Sequence, residues 1–313
     1  MSHVATHRLD SQDCLDSKDP LDAIDDALYQ PSGSDGVRAG RELFENVIEG
    51  LAVFINQNRE PDMEILRFPP VMSRQQVERS GYLKSFPNLL GCVSCLDGKE
   101  SEIRPLIERR DSNHNWVAAL SATDLVLTPA ACYPLYHMAA ARGHLPAKGL
   151  RFDVASYCFR HEATHEIDRF QAFRMREFVF MGTGKQALDF RARWIDRAEG
   201  LAAQLALPYR IAPASDPFFG RVGKLAAMIQ VEQALKFEWL IPVLSGAQPT
   251  ACMSFNCHRD HFGTTWNLRT ENGETAHTAC VAFGIDRLAL ALFVTHGLEL
   301  QRWPAVVREA LSI

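Results

Sequence analysis

The sequence of 313 residues lacks the features of a membrane-spanning or exported chain. Its apolar stretches fall far short of the ~20 residues that cross a bilayer, and no basic region followed by an apolar run opens it. We therefore expect a cytoplasmic protein. A basic surplus is also missing, since the net charge is −5 and the pI is near 6.1. Because phosphate neutralisation dominates binding to nucleic acids, this balance argues against a nucleic-acid-binding surface.

The eight cysteines are too scattered for a disulfide scaffold. Cys92 and Cys95 have the spacing of a thiol pair, but no second pair accompanies them, so burial is favoured over metal or redox work. Hydrophobic residues make up 47% and charged residues 23% of the chain, which is typical of a soluble globular enzyme.

The first part of the chain predicts a tail followed by a helix. Residues 1–36 are polar and rich in Asp and Ser, which indicates a mobile or loosely attached segment, so the main domain is expected to span 37–313. From Val37 onward, apolar residues at three- and four-residue steps predict an amphipathic helix. Residues 63–72 predict a strand whose two prolines restrict it to an edge or interface.

The remaining patterns mix strands and helices without a regular βαβ rhythm, which favours an α+β fold. Strands are predicted at Arg151–Phe159, Phe173–Met181 and Thr278–Phe283, and helices at 186–206, 222–239 and Ile285–His296, the last ended by Gly297. The first two strands, joined by a charged loop, form a natural antiparallel pair.

Two runs flank that charged loop: Phe159-Arg160-His161-Glu162 and Arg169-Phe170-Gln171-Ala172-Phe173. They resemble motif 2 of the class II aminoacyl-tRNA synthetases, which reads aromatic-Arg-x-Glu, a loop, and Arg-x-x-x-Phe. The resemblance implies an antiparallel sheet flanked by helices, and an ATP site in which an amino acid is converted to an aminoacyl-adenylate.

The resemblance also assigns a role to each motif residue. Arg160 would neutralise charge on the α-phosphate, and Glu162 would accept from the adenine amino group. Phe173 offers a ring on which the base can stack, and Phe170 belongs to the same nucleotide-binding run. Arg169, four residues from Phe173 and on the same predicted strand face, would reach the terminal phosphates.

A later run, Phe283-Gly284-Ile285-Asp286-Arg287, resembles motif 3 of the same superfamily and implies that Arg287 also contacts the nucleotide. Asp286 stands where the family usually has Glu. A first motif is expected in the helix from Val37 together with Pro69-Pro70, where the family forms a dimer interface, so a homodimer is implied. Two motifs in the family's order argue against the alternative that these arginines are ordinary surface charges.

Within this superfamily the chain is most similar to the atypical, archaeal-type seryl-tRNA synthetases, which hold a catalytic zinc ion. The resemblance implies Cys132, Glu177 and Cys280 as its ligands, with Glu177 on the strand face of Phe173. Two thiolates and a carboxylate would leave one zinc position open for the substrate amine, so Glu177 also belongs to the substrate site. The metal would then position the amino acid rather than activate water. Spacing alone favours buried, unreactive cysteines, the commoner fate of a lone cysteine, and it is the resemblance that favours zinc.

Other segments offer competing metal signals. His161-Glu-Ala-Thr-His165 spells a zinc-peptidase signature, but its charged flanks disfavour the apolar helix which that chemistry needs. Cys257-His258-Arg-Asp-His261 instead resembles a synthetase strand and loop. In that alignment the nucleotide lies along four consecutive residues, Ala251, Cys252, Met253 and Ser254. Lys236 resembles a seryl-enzyme lysine and is expected at phosphate or substrate, with a solvated helix-end lysine as the alternative.

The segment before the catalytic domain bears on the acceptor. Seryl-tRNA synthetases bind tRNA through a large N-terminal domain, whereas only residues 1–36 precede the domain here, which disfavours tRNA. The chain resembles the truncated amino acid:[carrier protein] ligases of bacteria, which use ATP with Mg²⁺ and pass the acyl group to the phosphopantetheine thiol of a carrier protein. The resemblance implies a small amino acid, glycine first and alanine second. It also implies that a helical insertion, here 215–240, meets the carrier.

Three alternatives stay open at this point. A seryl-type aminoacyl-tRNA synthetase would load tRNA instead of a carrier. A non-catalytic synthetase paralogue would keep the fold and lose residues such as Arg160 and Arg287. A zinc peptidase would hydrolyse peptides without ATP.

Overall fold

A computed structural model of the chain describes residues 20–111, 116–162, 164–243 and 248–313. The strands are β1 (Tyr29–Ser34), β2 (Val37–Gly40), β3 (Glu64–Arg67), β4 (Val71–Ser73), β5 (Cys92–Cys95), β6 (Ser121–Leu127), β7 (Leu150–Phe159), β8 (Ala172–Gly182), β9 (Arg210–Pro213), β10 (Lys236–Ile241), β11 (Thr250–Arg259) and β12 (His277–Gly284). The α-helices are α1 (Pro20–Leu28), α2 (Glu42–Asn58), α3 (Arg74–Arg79), α4 (Tyr82–Ser85), α5 (Glu100–Asp111), α6 (Tyr133–Ala140), α7 (Gly184–Leu205), α8 (Gly220–Glu232), α9 (His261–Trp266), α10 (Ile285–His296) and α11 (Ala305–Leu311).

A seven-stranded sheet organises the molecule, in the order β3-β7-β8-β12-β11-β10-β9. Its neighbours pair antiparallel except β3, which runs parallel to β7 at the edge. A smaller antiparallel sheet has the order β4-β6-β5. The α+β class with an antiparallel sheet flanked by helices is therefore confirmed.

Two cores cover the opposite faces of this sheet because successive strand residues point to alternate sides. On one face, Phe178 and Phe180 of β8 pack with the helices α2, α7 and α10. On the other face, Val179 and Met181 of the same strand pack with α6 and α9. The candidate site lies on this second face.

Several predicted elements are confirmed within a residue or two. The pair β7–β8 and the strand β12 occur where the apolar content predicted them, and α10 is ended by Gly297, whose φ is 82°. The predicted helix 186–206 corresponds to α7, which begins with a reciprocal cap between Thr183 and Gln186. The predicted strand at 63–72 is instead two short strands, which Pro69 and Pro70 separate, and each lies at the edge of its sheet.

The predicted tail is wrong over its second half. Residues 1–19 lie outside the described part of the chain, but residues 20–36 form α1 and most of a β-hairpin. Leu28 and Tyr29, the apolar side chains at the junction of α1 and β1, are buried in the core that contains Phe178, Phe180 and the helices α2, α7 and α10. We call this the main core. The hairpin extends to Gly40, so the helix expected from Val37 begins only at Glu42.

The predicted helix at 222–239 is also wrong at its end. The helix α8 stops at Glu232, and Ala234 takes a left-handed φ of 47° that turns the chain back. Residues 236–241 then enter the sheet as β10, where the apolar residues Phe237, Trp239 and Ile241 alternate with a strand period. The predicted helical insertion at 215–240 is thus helical only at 220–232.

Burial of Cys92 and Cys95 is a third error, since both are exposed. They lie on β5, an edge strand of the small sheet, where one side of the strand has no covering layer. Across the described residues, no helix is both long and apolar enough to cross a membrane.

Candidate active site

A cavity of about 540 Å³ opens over the centre of the large sheet, between α8 and the strands β8, β10, β11 and β12. Every predicted site residue except Arg169 lines it. These are Cys132, Arg160, Glu162, Phe170, Phe173, Glu177, Lys236, Ala251, Cys252, Met253, Ser254, Cys280 and Arg287. The structure thus brings together residues that lie as far apart in the chain as positions 132 and 287.

An acid cluster of Cys132, Glu177 and Cys280 forms one wall of this cavity. All three are buried, with exposed fractions of 4%, 2% and 3%. A carboxylate oxygen of Glu177 accepts the backbone N–H of Cys132 at 3.0 Å, and the two thiols lie within hydrogen-bonding reach of each other and of that carboxylate. Cys132 precedes α6, Glu177 is central in β8, and Cys280 faces it from β12.

Burial and mutual repulsion favour the protonated form of each group in this cluster. The contact with Cys132, burial and the Glu177 charge raise the pKa of Cys280 well above its ordinary value. A hydrogen bond with Cys280 lowers the pKa of Cys132, but burial and Glu177 outweigh it and leave that pKa raised. Burial likewise raises the pKa of Glu177, and it outweighs the contacts with the two thiols, which lower that pKa. Three neighbouring acids with raised pKa values are a set from which a divalent cation would displace protons.

In the described residues, no three His, Cys, Asp or Glu side chains stand in ready coordination geometry. The chemistry of the acid cluster nevertheless fits zinc, because two sulfur donors and one carboxylate oxygen are ligands that this ion takes in proteins. Zinc binding therefore stays a prediction.

Two arginines on another side of the cavity carry charges that no described carboxylate pairs. The Arg160 Nε donates to the Pro129 carbonyl at 3.1 Å, and its guanidinium lies 5.5 Å from the centre of the Phe173 ring. Arg287 donates to the carbonyls of Asp168 at 2.9 Å and Ala251 at 3.2 Å. Both side chains are held by neutral acceptors, which leaves their positive charge available to an anion in the cavity.

Arg169 is the exception among the predicted site residues. It precedes β8, which begins at Ala172, so the shared strand face with Phe173 is wrong. The loop between the strands is simply longer than the letter pattern suggested. Its guanidinium pairs with Glu166 at 2.8 Å and with Glu162 at 3.5 Å, and half of the side chain is exposed.

The structure excludes the peptidase interpretation, because His161 and His165 lie in a loop rather than on a helix. His161 Nδ1 contacts the Gln171 side chain at 3.0 Å, and His165 lies 3.5 Å from Asp35. The two histidines thus have separate partners and share no face.

Lys236 is not a solvated lysine at a helix end, since it lies on β10 and is only 9% exposed. Its ammonium contacts Asp216 at 2.7 Å and Glu238 at 2.9 Å. Burial lowers the pKa of Lys236, but the two carboxylates outweigh that and leave it raised, so the lysine is a cation. Gln230 of α8 then donates to Asp216 at 2.8 Å, which links the helix to the cavity.

Sequence reasoning missed Asp216 and Gln230, and it also missed the polar groups around Cys280. Asn256 Nδ2 lies 3.3 Å and His258 Nε2 lies 3.7 Å from the Cys280 sulfur. Burial lowers the pKa of His258 to about 4, so its ring is neutral at physiological pH. The strand period of β11 is the signal that could have placed both residues on one face with Ser254.

No family model matches the chain. Among curated proteins, an amino acid--[acyl-carrier-protein] ligase of Bradyrhizobium diazoefficiens is 58% identical over 295 residues, covering 94% of this chain and 90% of that protein. The type-2 serine--tRNA ligase of Methanopyrus kandleri is 24% identical over 277 residues, covering 81% of this chain and 52% of that protein. The chain therefore spans about half the length of this more distant relative.

Among solved structures, the M. kandleri seryl-tRNA synthetase in complex with Aquifex aeolicus tRNASec superposes with a TM-score of 0.78 at 19% identity, covering 91% of this chain and 58% of that one. At that identity the likeness concerns the fold, and it confirms the class II synthetase-like architecture. The nearly full-length match at 58% identity reaches further: the chain belongs to the amino acid--[acyl-carrier-protein] ligases, enzymes built on a class II synthetase-like domain.

Proposed function

We propose that the protein activates an amino acid with ATP and transfers the aminoacyl group to the phosphopantetheine thiol of a carrier protein. The observation that carries this proposal is the cavity, which joins a buried acid cluster to two unpaired arginines. An amino acid and a nucleotide need these two environments side by side. The 58% identity to a carrier-protein ligase supports the choice of acceptor.

The first step would join the amino acid carboxylate to the α-phosphorus of ATP and release pyrophosphate. Negative charge accumulates on the phosphate oxygens during this attack, and cations fixed beforehand stabilise it most effectively. Arg160 and Arg287 are such cations, since backbone carbonyls orient them. Glu162 and Phe173 would hold the adenine, and Phe170 and residues 251–254 would complete the nucleotide site. Mg²⁺ would accompany the phosphates.

Arg169 would join the site only by a movement, because it is now paired with Glu162 and Glu166. Both pairs are partly exposed, and such pairs contribute only about 0–1 kcal/mol each. ATP phosphates would compete for this guanidinium at small cost.

In the second step the carrier thiolate would attack the acyl carbon and AMP would leave. The acid cluster would meanwhile hold the amino acid. Cys132, Glu177 and Cys280 would bind zinc, which would offer its open position to the substrate amine. Lys236 would contact substrate or phosphate, since it faces the cavity as a buried cation.

Glycine is the proposed amino acid, with alanine second. The space next to the thiols is crowded, because the fully buried Tyr136 lies beside Cys132 and the His258 ring approaches Cys280. A crowded pocket favours the smallest side chain. Parallel assays with glycine, alanine and serine measure this preference, and a larger kcat/KM for serine would overturn it.

The helix α8 is the proposed carrier-binding surface. Val222, Leu225 and Met228 are 82%, 57% and 68% exposed, which is unusual for neighbouring apolar residues on one helix. We expect Met228→Ser to raise the KM for the carrier about tenfold, corresponding to about 1.4 kcal/mol, while amino acid activation is unchanged. Leu188→Ser on α7, where the leucine is 48% exposed, is the matched control. Equal effects of both variants would contradict this surface.

A homodimer is proposed through α2 and the segment at Pro69-Pro70, as the first motif implies. Molar mass by light scattering tests it directly. A monomeric mass over the working concentration range of the assay would remove this part of the proposal.

The decisive experiment for the function has two stages. Amino-acid-dependent ATP–pyrophosphate exchange, run for each amino acid separately, tests activation. The activated enzyme is then offered a phosphopantetheinylated carrier and, in parallel, tRNA. Intact-mass detection of an aminoacyl thioester on the carrier alone is expected. Loading of tRNA instead would favour a seryl-type synthetase, and no exchange with any amino acid would favour a non-catalytic paralogue.

A further inference from the structure

The β1–β2 hairpin lies against the loop that connects β7 and β8. Two hydrogen bonds join them directly: the Gln171 backbone N–H donates to the Gly36 carbonyl at 2.7 Å, and its side-chain amide donates to the Asp35 carbonyl at 2.7 Å. Gln171 is only 9% exposed, and all four of its polar atoms have partners within the chain. This contact joins segments about 135 residues apart.

Gln171 also closes the base of the loop. Its backbone carbonyl accepts from the Arg160 N–H at 2.9 Å, and its side-chain oxygen lies 3.0 Å from His161 Nδ1. One residue therefore ties the hairpin to both ends of the loop. Arg160, Glu162 and Phe170, three of the residues proposed to contact ATP, lie within or beside this closed loop.

Further contacts extend along the hairpin. Arg38 donates to the His165 carbonyl at 3.1 Å, and the Asp35 carboxylate lies 3.5 Å from the His165 ring. Tyr29 packs edge-on against Phe170 with the ring centres 5.4 Å apart. Because Phe170 lines the cavity, this aromatic contact connects the hairpin to the wall of the site itself.

The hairpin is fixed at its own base. The Arg41 backbone N–H donates to Leu28 at 2.8 Å, and the Arg41 side chain donates to the Tyr29 carbonyl at 3.0 Å. Tyr29 also packs on Phe44 of α2 with the ring centres 4.8 Å apart. A support held by the main core can restrain a loop, whereas a loosely attached segment cannot.

The geometry points to the β1–β2 hairpin as a brace that orders the base of the ATP-contacting loop before ATP binds, with Gly36 and Gln171 as positioning residues. This inference rests on the proposed function of the loop. A loop that is ordered before ATP arrives loses less conformational freedom on binding, so the brace strengthens binding without touching the nucleotide. Loss of the brace should therefore appear in the affinity for ATP and leave the amino acid site unchanged.

Two glycines of the same hairpin provide a matched test. Gly33 and Gly36 both have positive φ, at 88° and 67°, so alanine introduces similar backbone strain at each. A Cβ on Gly36 would meet the Gln171 Cγ at 3.1 Å and its backbone nitrogen at 3.2 Å, whereas a Cβ on Gly33 meets nothing within 4 Å. Only Gly36→Ala therefore pushes on the loop.

We expect Gly36→Ala to raise the KM for ATP in pyrophosphate exchange about tenfold, which equals about 1.4 kcal/mol. The KM for the amino acid and kcat should stay within about twofold, and Gly33→Ala should match the wild type in all three. Gln171→Met, which removes both amide contacts and keeps the chain length, should reproduce the Gly36→Ala effect. Thermal unfolding of each variant confirms that the compared proteins are folded.

The possible results distinguish a failure of the proposed function from a failure of the proposed brace. If the wild type shows no amino-acid-dependent exchange, the proposed function fails. If the wild type is active and Gly36→Ala and Gln171→Met keep its KM for ATP, the brace is wrong. An equal change in the KM values for ATP and amino acid, or an equal effect of Gly33→Ala, would also overturn it, because either result indicates general destabilisation.

Discussion

Arg176 and Glu177 are neighbours on β8, yet the two buried side chains have opposite kinds of partners on the two faces of the sheet. Arg176 is 5% exposed and donates to the Asp153 carboxylate and to Asn56, the former through Nε at 2.7 Å. Glu177 is 2% exposed and makes no ion pair among the described residues. Its neighbours are two thiols and a backbone N–H.

The difference distinguishes a structural ion pair from an acid for which we propose a function. Asp153 is fully buried and also contacts Arg67 at 3.2 Å and Arg59 at 3.3 Å, so each charge on that face has partners. Burying an acid without a counter-charge is unfavourable, and such a group persists where a function requires it. The unpaired acid is the reason we place the proposed chemistry on this face.

The largest effect should come from removing a thiol of the acid cluster. We expect Cys132→Ala or Cys280→Ala to reduce amino-acid-dependent exchange by more than about a hundredfold, because loss of even an outer partner of a metal ligand costs about 10–100-fold. Bound zinc should fall in parallel, as measured by metal analysis. Cys92→Ala is the control, since that exposed thiol lies on the small sheet. Retained exchange in either cluster variant would contradict the zinc site.

On the opposite face, a comparable substitution should act on stability. Arg176→Met leaves Asp153 with weaker compensation, and breaking a buried ion pair costs about 3–5 kcal/mol. We expect that loss in the free energy of unfolding, measured with urea. Pyrophosphate-exchange activity per folded molecule should be retained. A loss of activity in a variant that stays folded would contradict the contrast between the two faces.

The smallest of these effects is a pH dependence of zinc affinity. The pKa values of Glu177, Cys132 and Cys280 are all raised, so protons compete with the metal. Affinity should therefore increase as the pH rises, and it should still be increasing at mildly alkaline pH because the thiol values lie above the ordinary one. Competition with a zinc-binding dye over a pH series measures it. An affinity independent of pH would argue against thiolate ligands.

The site could be predicted because the family resemblance supplied its residues, and the two-residue period of a strand then placed Phe173 and Glu177 on one face. Phe173 and Glu177, four residues apart on β8, do share the cavity face, and Cys280 faces them from β12. The strand face predicted for Arg169 was wrong, because the spacing of the motif does not reveal that β8 begins three residues later, at Ala172.

The elements that were predicted wrongly are those whose structure depends on contacts between distant segments. Leu28 and Tyr29 follow a stretch rich in Asp, and only their packing on the main core reveals the order of the hairpin. In the same way, Asp216 and Gln230 can be recognised as site residues only after β10 has brought Lys236 into contact with Asp216. Local composition does not report such pairings.

The contrast between the two faces is tested most directly by Glu177→Gln, assayed for glycine-dependent pyrophosphate exchange and for thermal unfolding in the same preparation. The amide keeps the shape and removes the unpaired acid. We predict loss of most exchange activity together with an unfolding temperature at or above that of the wild type. Full exchange activity, or a loss explained entirely by unfolding, would contradict the assignment of this strand face to catalysis.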